Sequence, residues 1–296
     1  AKLEASLLAL GLVPKLVRSL GLLQRSAMER AVVLLSRLVM LPGGQFAVQF
    51  VESGGLAAPL VHALLDSNNR PGLVADTLII MSMLARLSRD YYPPVHAADP
   101  YPLLLALLQA GGDATVRARV CNLVGNMCRH SDYFYGPLQH KGIIREVMKC
   151  VSDPDTNTRK FACFALGNAA FHSAALYGEL QEGVGALMAC LGEPVEKTRS
   201  NAAGALGNLV RNSETLAPVL ARSNAVNALM QASDPAGAAD SSSRVALYSL
   251  GTVVAYQPCK EVVEASGFTR RLRELSQSKD KTTAKYAARV LDRLQA

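Results

Sequence analysis

One four-residue pattern returns seven times along the chain, and it constrains the fold more than any other feature. The pattern is Leu or Val, a small residue, Arg or Asn, then an apolar residue. It occurs as Leu35-Ser36-Arg37-Leu38, Leu84-Ala85-Arg86-Leu87, Val124-Gly125-Asn126-Met127 and Leu166-Gly167-Asn168-Ala169. It returns as Leu206-Gly207-Asn208-Leu209, Leu250-Gly251-Thr252-Val253 and Leu291-Asp292-Arg293-Leu294, with Thr or Asp as local departures. The third positions lie 49, 40, 42, 40, 44 and 41 residues apart. A period near 42 is the signature of a repeat architecture, in which each unit covers the apolar face of its neighbour.

Each copy closes a run with apolar residues at i, i+3, i+4 and i+7, as in the stripe Ala162, Ala165, Leu166 and Ala169. A second amphipathic run precedes each copy: Val13 to Leu20, Leu56 to Leu65, Leu103 to Leu108, Ile143 to Val151, Val184 to Leu191, Ala225 to Ala232 and Phe268 to Leu275. Turn signals such as Ser152-Asp153-Pro154-Asp155 and Gly192-Glu193-Pro194 separate the two. A shorter apolar piece, for example Leu180-Gln181-Glu182-Gly183, stands ahead of the second run. Three helices in about 42 residues describe an armadillo unit better than a two-helix HEAT unit. The expected fold is therefore all-α, a right-handed armadillo-type solenoid in a single domain over 1–296. Its repeats span approximately 1–42, 43–91, 92–132, 133–174, 175–214, 215–257 and 258–296. Irregular connections are expected at Gly43-Gly44, from Tyr91 to Pro102 and from Ser233 to Ser243.

Composition agrees. Of 296 residues, 50% are hydrophobic but only 5% aromatic, with no Trp, which excludes a disordered chain and favours helices built on Leu, Ala and Val. Lys and Arg exceed Asp and Glu by 31 to 24, a formal charge of +7 that favours acidic partners without singling out nucleic acid. The basic residues are scattered, and no nucleic-acid motif is present. The six cysteines form no Cys-x-x-Cys pair and sit mostly in apolar helical runs, which reads as buried thiols in a reducing, cytosolic environment. The apolar run Leu78 to Leu84 is too short to cross a bilayer. The start at Ala1, without an initiator Met or signal pattern, reads as a piece excised from a longer protein.

Chemistry was sought and not found. There is no Gly-x-Gly-x-x-Gly or Walker loop, no Gly-x-Ser-x-Gly elbow, no His-Glu-x-x-His and no kinase His-Arg-Asp or Asp-Phe-Gly. No metal site, cofactor or catalytic residue is expected. Thr158-Arg159 and Thr198-Arg199 open two helices, where each Thr reads as an N-cap and each Arg needs no function.

Function is expected on the non-core stripe of the third helix. From Asn168, helical steps give Phe161, Phe164, Phe171 and His172. The matching residues are Arg119, Asn122, Arg129 and His130 around Asn126, then Asn201, Gly204, Arg211 and Asn212 around Asn208, then Val245 and Tyr248 around Thr252. Asn is an indifferent helix former, so Asn126, Asn168 and Asn208 at matched positions call for a reason. Two readings are open: the amides grip the main chain of an extended peptide, or they tie one repeat to the next. Phe164 and Tyr248 would supply apolar surface, while Arg86, Arg129 and Arg211 would draw an acidic segment. A nuclear-import receptor would place Trp four residues before each Asn; here those positions hold Asn122, Phe164, Gly204 and Tyr248.

The stretch Phe161 to His172, followed by Lys197 to Asn212 and by Gln257-Pro258-Cys259-Lys260, resembles the carboxy-terminal region of the Fused family of serine/threonine kinases, plant and algal members in particular. The related Unc-51-like kinase 4 group is the nearest competitor. The close resemblance covers roughly residues 114–260. It implies a non-catalytic tail of a longer kinase, docking a kinesin-like or microtubule-associated partner in ciliary or cytokinesis function, in the cytoplasm at the cytoskeleton. The alternative is a module acting on its own kinase domain. The resemblance supplies no catalytic residue in this stretch.

Overall fold

The computed structural model describes residues 2–109, 112–234 and 240–296, and every regular element among them is helical. Seven long helices carry the repeated pattern: α1 (Arg25–Val39), α2 (Pro71–Leu87), α3 (Ala114–Met127), α4 (Thr156–Ala169), α5 (Glu196–Asn208), α6 (Ser241–Val253) and α7 (Lys281–Gln295). The chain divides into two compact units, 1–146 and 147–296.

In the first unit α1 packs on α2, and α2 on α3. Ala58–Leu65 lies against α2 and Tyr101–Gln109 against α3. In the second unit α4, α5, α6 and α7 stack in succession, with Val184–Ala189, Ala225–Ser233 and Thr269–Leu275 against α5, α6 and α7. Each unit is thus an α-solenoid segment of the expected class. The stripe Ala162, Ala165, Leu166 and Ala169 is buried, as are all six cysteines, which are free thiols.

The small residue of the pattern is explained by how closely successive long helices approach. A β-carbon on Gly167 would touch the backbone of Ala205 at 3.7 Å, and one on Gly207 would run into Ser249. At Gly207 a larger residue would push the stack apart, whereas at Gly167 a β-carbon fits in ordinary contact.

Two expectations need correction. Tyr91 to Pro102 is not an irregular connection: Tyr92–Ala97 is helical and Tyr101–Gln109 begins within it. Proline at the first turn of a helix loses no hydrogen bond, because that N–H has no intrahelical acceptor, so Tyr92-Pro93-Pro94 opens a helix instead of breaking one. Nor do Thr158 and Thr198 cap their helices. The cap of α4 is Asp155, whose Oδ2 accepts from the Thr158 N–H at 2.7 Å and from its hydroxyl at 2.9 Å. Val195 stands at the cap position of α5 without a side-chain bond, and Thr198 is fully buried. Gly43 and Gly44, at φ +94° and +70°, form the expected turn. Part of the Ser233 to Ser243 connection lies outside the described residues.

The arginines after those threonines are staples between repeats. Arg159 donates to the Asp153 and Pro154 carbonyls of its own turn and pairs with Glu193 at 2.7 Å. Arg199 repeats this on the Glu193 and Pro194 carbonyls, and pairs with Asp240 at 2.5 Å. Arg244 and Asp280 continue the series at 3.5 Å. The Arg159 and Arg199 guanidinium groups satisfy turn carbonyls, and all three charges hold the next repeat.

Candidate functional site

In the first unit, Arg86 is exposed near the end of α2, and Arg129 is exposed just past α3. Asn126 between them is 4% exposed. Its Nδ2 donates to Ser82 Oγ on α2 at 2.8 Å and to the Asn122 carbonyl at 3.1 Å. Asn122 Nδ2 reaches the same Ser82 oxygen at 3.1 Å. Asn126 is therefore not the exposed rung expected of it: burial seals the amide between helices, and it ties one repeat to the next.

In the second unit, Phe164 and Asn168 are half-buried on α4, and Asn208 is half-buried on α5. Asn208 Nδ2 donates to the Gly167 carbonyl of the preceding repeat at 2.9 Å. Asn201 and Asn212 do the same, to Lys160 and Phe171 at 3.0 Å each. The amide nitrogens thus bind repeat to repeat. Among the described residues no hydrogen bond reaches the Asn208 Oδ1, and the atom is not sealed from solvent, so it can take a donor.

The aromatic residues of this stripe carry guanidinium groups. Arg211 lies over the Phe171 ring at 4.1 Å, and Arg289 lies over the Tyr248 ring at 4.2 Å. Tyr286 meets Tyr248 edge-on at 5.2 Å. Phe171 and Tyr248 are among the exposed large apolar side chains, at 37% and 38%. Such stacking holds an arginine in place while leaving donor edges open to solvent. Arg289 also donates to the Tyr248 carbonyl at 2.9 Å and to Thr252 Oγ1 at 3.2 Å, and Arg293 donates to the Gly251 carbonyl. Burial, and then the neighbouring Arg293 and Arg211 charges, lower the Arg289 pKa. On α5, a β-carbon on Gly204 would meet only Val245, at 3.7 Å.

Phe164 and Asn168 lie on α4, Asn208 on α5 and Tyr248 on α6, helices that pack in succession, with Arg211 just past the end of α5. Sequence reasoning missed Tyr286 and Arg289. Arg289 precedes Arg293 by four residues, as Tyr248 precedes Thr252, so carrying the same step into the last repeat finds it. It also missed two tyrosine hubs. Tyr92 OH donates to the Asn126 carbonyl and accepts the His130 N–H, both at 3.0 Å. Tyr177 OH donates to the Asn208 carbonyl at 2.5 Å and accepts the Asn212 N–H at 3.2 Å. The signal was available: Tyr92, Tyr135 and Tyr177, all buried, lie 43 and 42 residues apart.

Among the described residues no group of His, Cys, Asp and Glu is placed to hold a metal ion, and no single helix is long and apolar enough to cross a membrane.

These observations define a class, an armadillo-type α-solenoid with a basic and aromatic long-helix stripe. The comparisons agree on the fold. A designed armadillo repeat protein matches with TM-score 0.65 at 18% identity, over 95% of this chain and 99% of that one. A crystallised engineered protein matches with TM-score 0.86 at 18% identity, over 96% of this chain and 68% of its own. A further designed armadillo repeat protein, in complex with the peptide (KR)4, matches with TM-score 0.64 at 17% identity over 95% and 99%. In sequence the chain is similar to the serine/threonine-protein kinase TIO of Arabidopsis thaliana, 34% identical over 127 residues, or 43% of this chain. The chain spans only 9% of that kinase's length. No protein-family model matches the sequence.

Proposed function

We propose that this chain is a non-catalytic docking segment of a Fused-like serine/threonine kinase, and that the long-helix stripe of its second unit holds an extended acidic and apolar peptide. The observation that carries this reading is the pair of guanidinium-stacked rings, Arg211 on Phe171 and Arg289 on Tyr248, in the same unit as Asn208, whose amide oxygen no described donor reaches. Rings that remain exposed while holding arginines offer apolar surface and charge-assisted donors at one place, and an amide oxygen at helical spacing accepts from a peptide N–H. A designed neighbour carries the basic peptide (KR)4; the basic stripe here calls for a peptide of the opposite sign. The similarity to a plant serine/threonine kinase supports the kinase-tail part of this reading; the partner proposed with it is kinesin-like or microtubule-associated, in ciliary or cytokinesis function at the cytoplasmic cytoskeleton.

The test is a pull-down from dividing or ciliated cells with wild type and an Arg211→Glu, Tyr248→Ala variant. Wild type is expected to recover a kinesin-like or microtubule-associated protein, and the variant to lose it while keeping its helical circular-dichroism spectrum. Equal recovery by both rejects the stripe as the site. Capture of the kinase's own catalytic domain instead replaces docking by an intramolecular regulatory role.

A further inference from the structure

Successive long helices meet in a fixed register. Ala205 on α5 is what a β-carbon on Gly167 of α4 would touch, and Ser249 on α6 is what one on Gly207 would strike. Val290 on α7 would lie 3.5 Å from a β-carbon on Gly251 of α6. Each of these three residues stands three positions before the Asn, Thr or Arg of its own pattern, and each is at most 2% exposed. Asn208 and Arg293 themselves reach back to the same glycines, donating to the Gly167 and Gly251 carbonyls. Asn201, seven residues before Asn208, donates to the Lys160 carbonyl of α4. The face that a long helix turns to its predecessor is therefore set by its own pattern.

On α1 the counterpart of Ala205, Ser249 and Val290 is Leu34. It is 41% exposed, as is Val33 beside it. Arg37 takes the place of Asn208 and Arg293, and Arg30 the place of Asn201; both are exposed and bond to nothing among the described residues. The face toward α2 is closed: Ser36 is buried and donates to Asp76 Oδ1 at 2.7 Å. In the same repeat, helix Lys2–Ala9 buries no residue and leaves Leu3 exposed. A lone exposed leucine needs no explanation. A leucine at a position whose counterparts are sealed against a preceding helix lacks the surface that its register calls for.

We infer that α1 is a docking face for the long helix of a further repeat of the same kind, which brings a Gly, Ala or Ser under Leu34 and a backbone carbonyl to Arg37. A second copy of this chain fits the face poorly in either arrangement. Paired through α1 about a two-fold axis, the copies would set Arg30 and Arg37 against the same two arginines, and like charges oppose that. Stacked head to tail, the face would meet α7, where the small residue of the pattern is replaced by the exposed Asp292. The surface belongs to the first unit and does not depend on the peptide-docking reading.

The experiment follows maleimide labelling of Leu34→Cys, whose thiol is accessible while all six native cysteines are buried. Two lengths are compared: the 296-residue chain, and the natural polypeptide extended on its amino-terminal side by one repeat, about 42 residues. Labelling should be at least about tenfold slower in the longer protein, the effect of covering a side chain that now stands open. Val195→Cys, at an exposed position of the second unit, should react alike in both. Leu34→Asp gives a second readout: the thermal midpoint should stay where it is in the 296-residue chain and fall in the longer one. Equal labelling of Leu34→Cys in the two lengths overturns the inference, as does a Leu34→Asp midpoint unchanged in both. Protection already present in the 296-residue chain and lost on dilution also overturns it, by assigning the face to a second copy.

Discussion

Gly207 on α5 and Ser249 on α6 stand so close that a β-carbon on the glycine would lie 2.6 Å from the serine Cβ and Oγ, and 2.9 Å from its Cα. Gly204, one turn earlier on the same helix, would meet only Val245 Cγ1, at 3.7 Å. The same substitution should therefore act in opposite directions. Gly204→Ala relieves the entropy penalty of glycine in a helix and should stabilise by about 0.5–1 kcal/mol. Gly207→Ala forces backbone apart and should destabilise by about 1–3 kcal/mol. Urea midpoints of the two variants check this; a shift of the same sign in both would contradict the close helix approach.

Tyr177 joins two repeats through one hydroxyl, and burial pushes the pKa of that group up. Tyr177→Phe keeps the ring but removes the bridge between the Asn208 carbonyl, which retains the Arg211 N–H, and the Asn212 N–H. The expected loss is about 1 kcal/mol, the net worth of the lost hydrogen bonds. Tyr92→Phe should cost a similar amount in the first unit, where the hydroxyl bridges the Asn126 carbonyl and His130 N–H. Thermal midpoints that do not move would show both hydroxyls to be dispensable.

The fold was legible because a solenoid repeats its local rules: the Leu-Gly-Asn pattern fixed the period, and apolar spacing at i, i+3, i+4 and i+7 fixed the buried stripe. The second-helix runs also fell where expected, as at Val184–Ala189 and Ala225–Ser233. The Arg159 and Arg199 staples were not legible, because their acceptors, Glu193 and Asp240, lie a full repeat away. Thr158 was misread for a related reason. Thr suits an N-cap by propensity, but Asp155 three residues earlier outcompetes it for the free N–H. Asn126 and Asn208 look alike in sequence, and only packing shows the first buried against Ser82 and the second half-buried against the Gly167 carbonyl.

Asp240 predicts a pH dependence. Partial burial alone would raise its carboxyl, but hydrogen bonds from Ser242, Ser243 and Arg199 outweigh this and hold it at about 2. The folded pKa lies below the unfolded value of about 3.9, so the contribution is present above that value and is lost as pH falls toward 2. Denaturant midpoints should decline across that interval in wild type. In Asp240→Asn they should start lower and decline less. Parallel curves for the two proteins would contradict the assignment.

The last prediction separates the stripe residues by what each amide touches. Asn126→Ala removes the buried bond to Ser82 and should lower stability by about 1–2 kcal/mol, leaving the second unit's peptide affinity unchanged. Asn208→Ala removes an inter-repeat bond together with an amide oxygen that no described donor reaches. It should lower stability by a similar amount and also weaken binding of an acidic peptide by about 1 kcal/mol, roughly fivefold. Arg211→Glu acts differently. Its guanidinium is exposed over Phe171, so reversal should chiefly slow association and flatten its dependence on salt, with a smaller effect on dissociation. Stopped-flow kinetics at two ionic strengths, with an acidic peptide as probe, distinguish the three behaviours. If Asn126→Ala weakens binding as much as Asn208→Ala does, the loss reflects the fold and not the stripe. If Arg211→Glu leaves association and its salt dependence as in wild type, the stacked guanidinium is a structural pair and the peptide runs elsewhere on the unit.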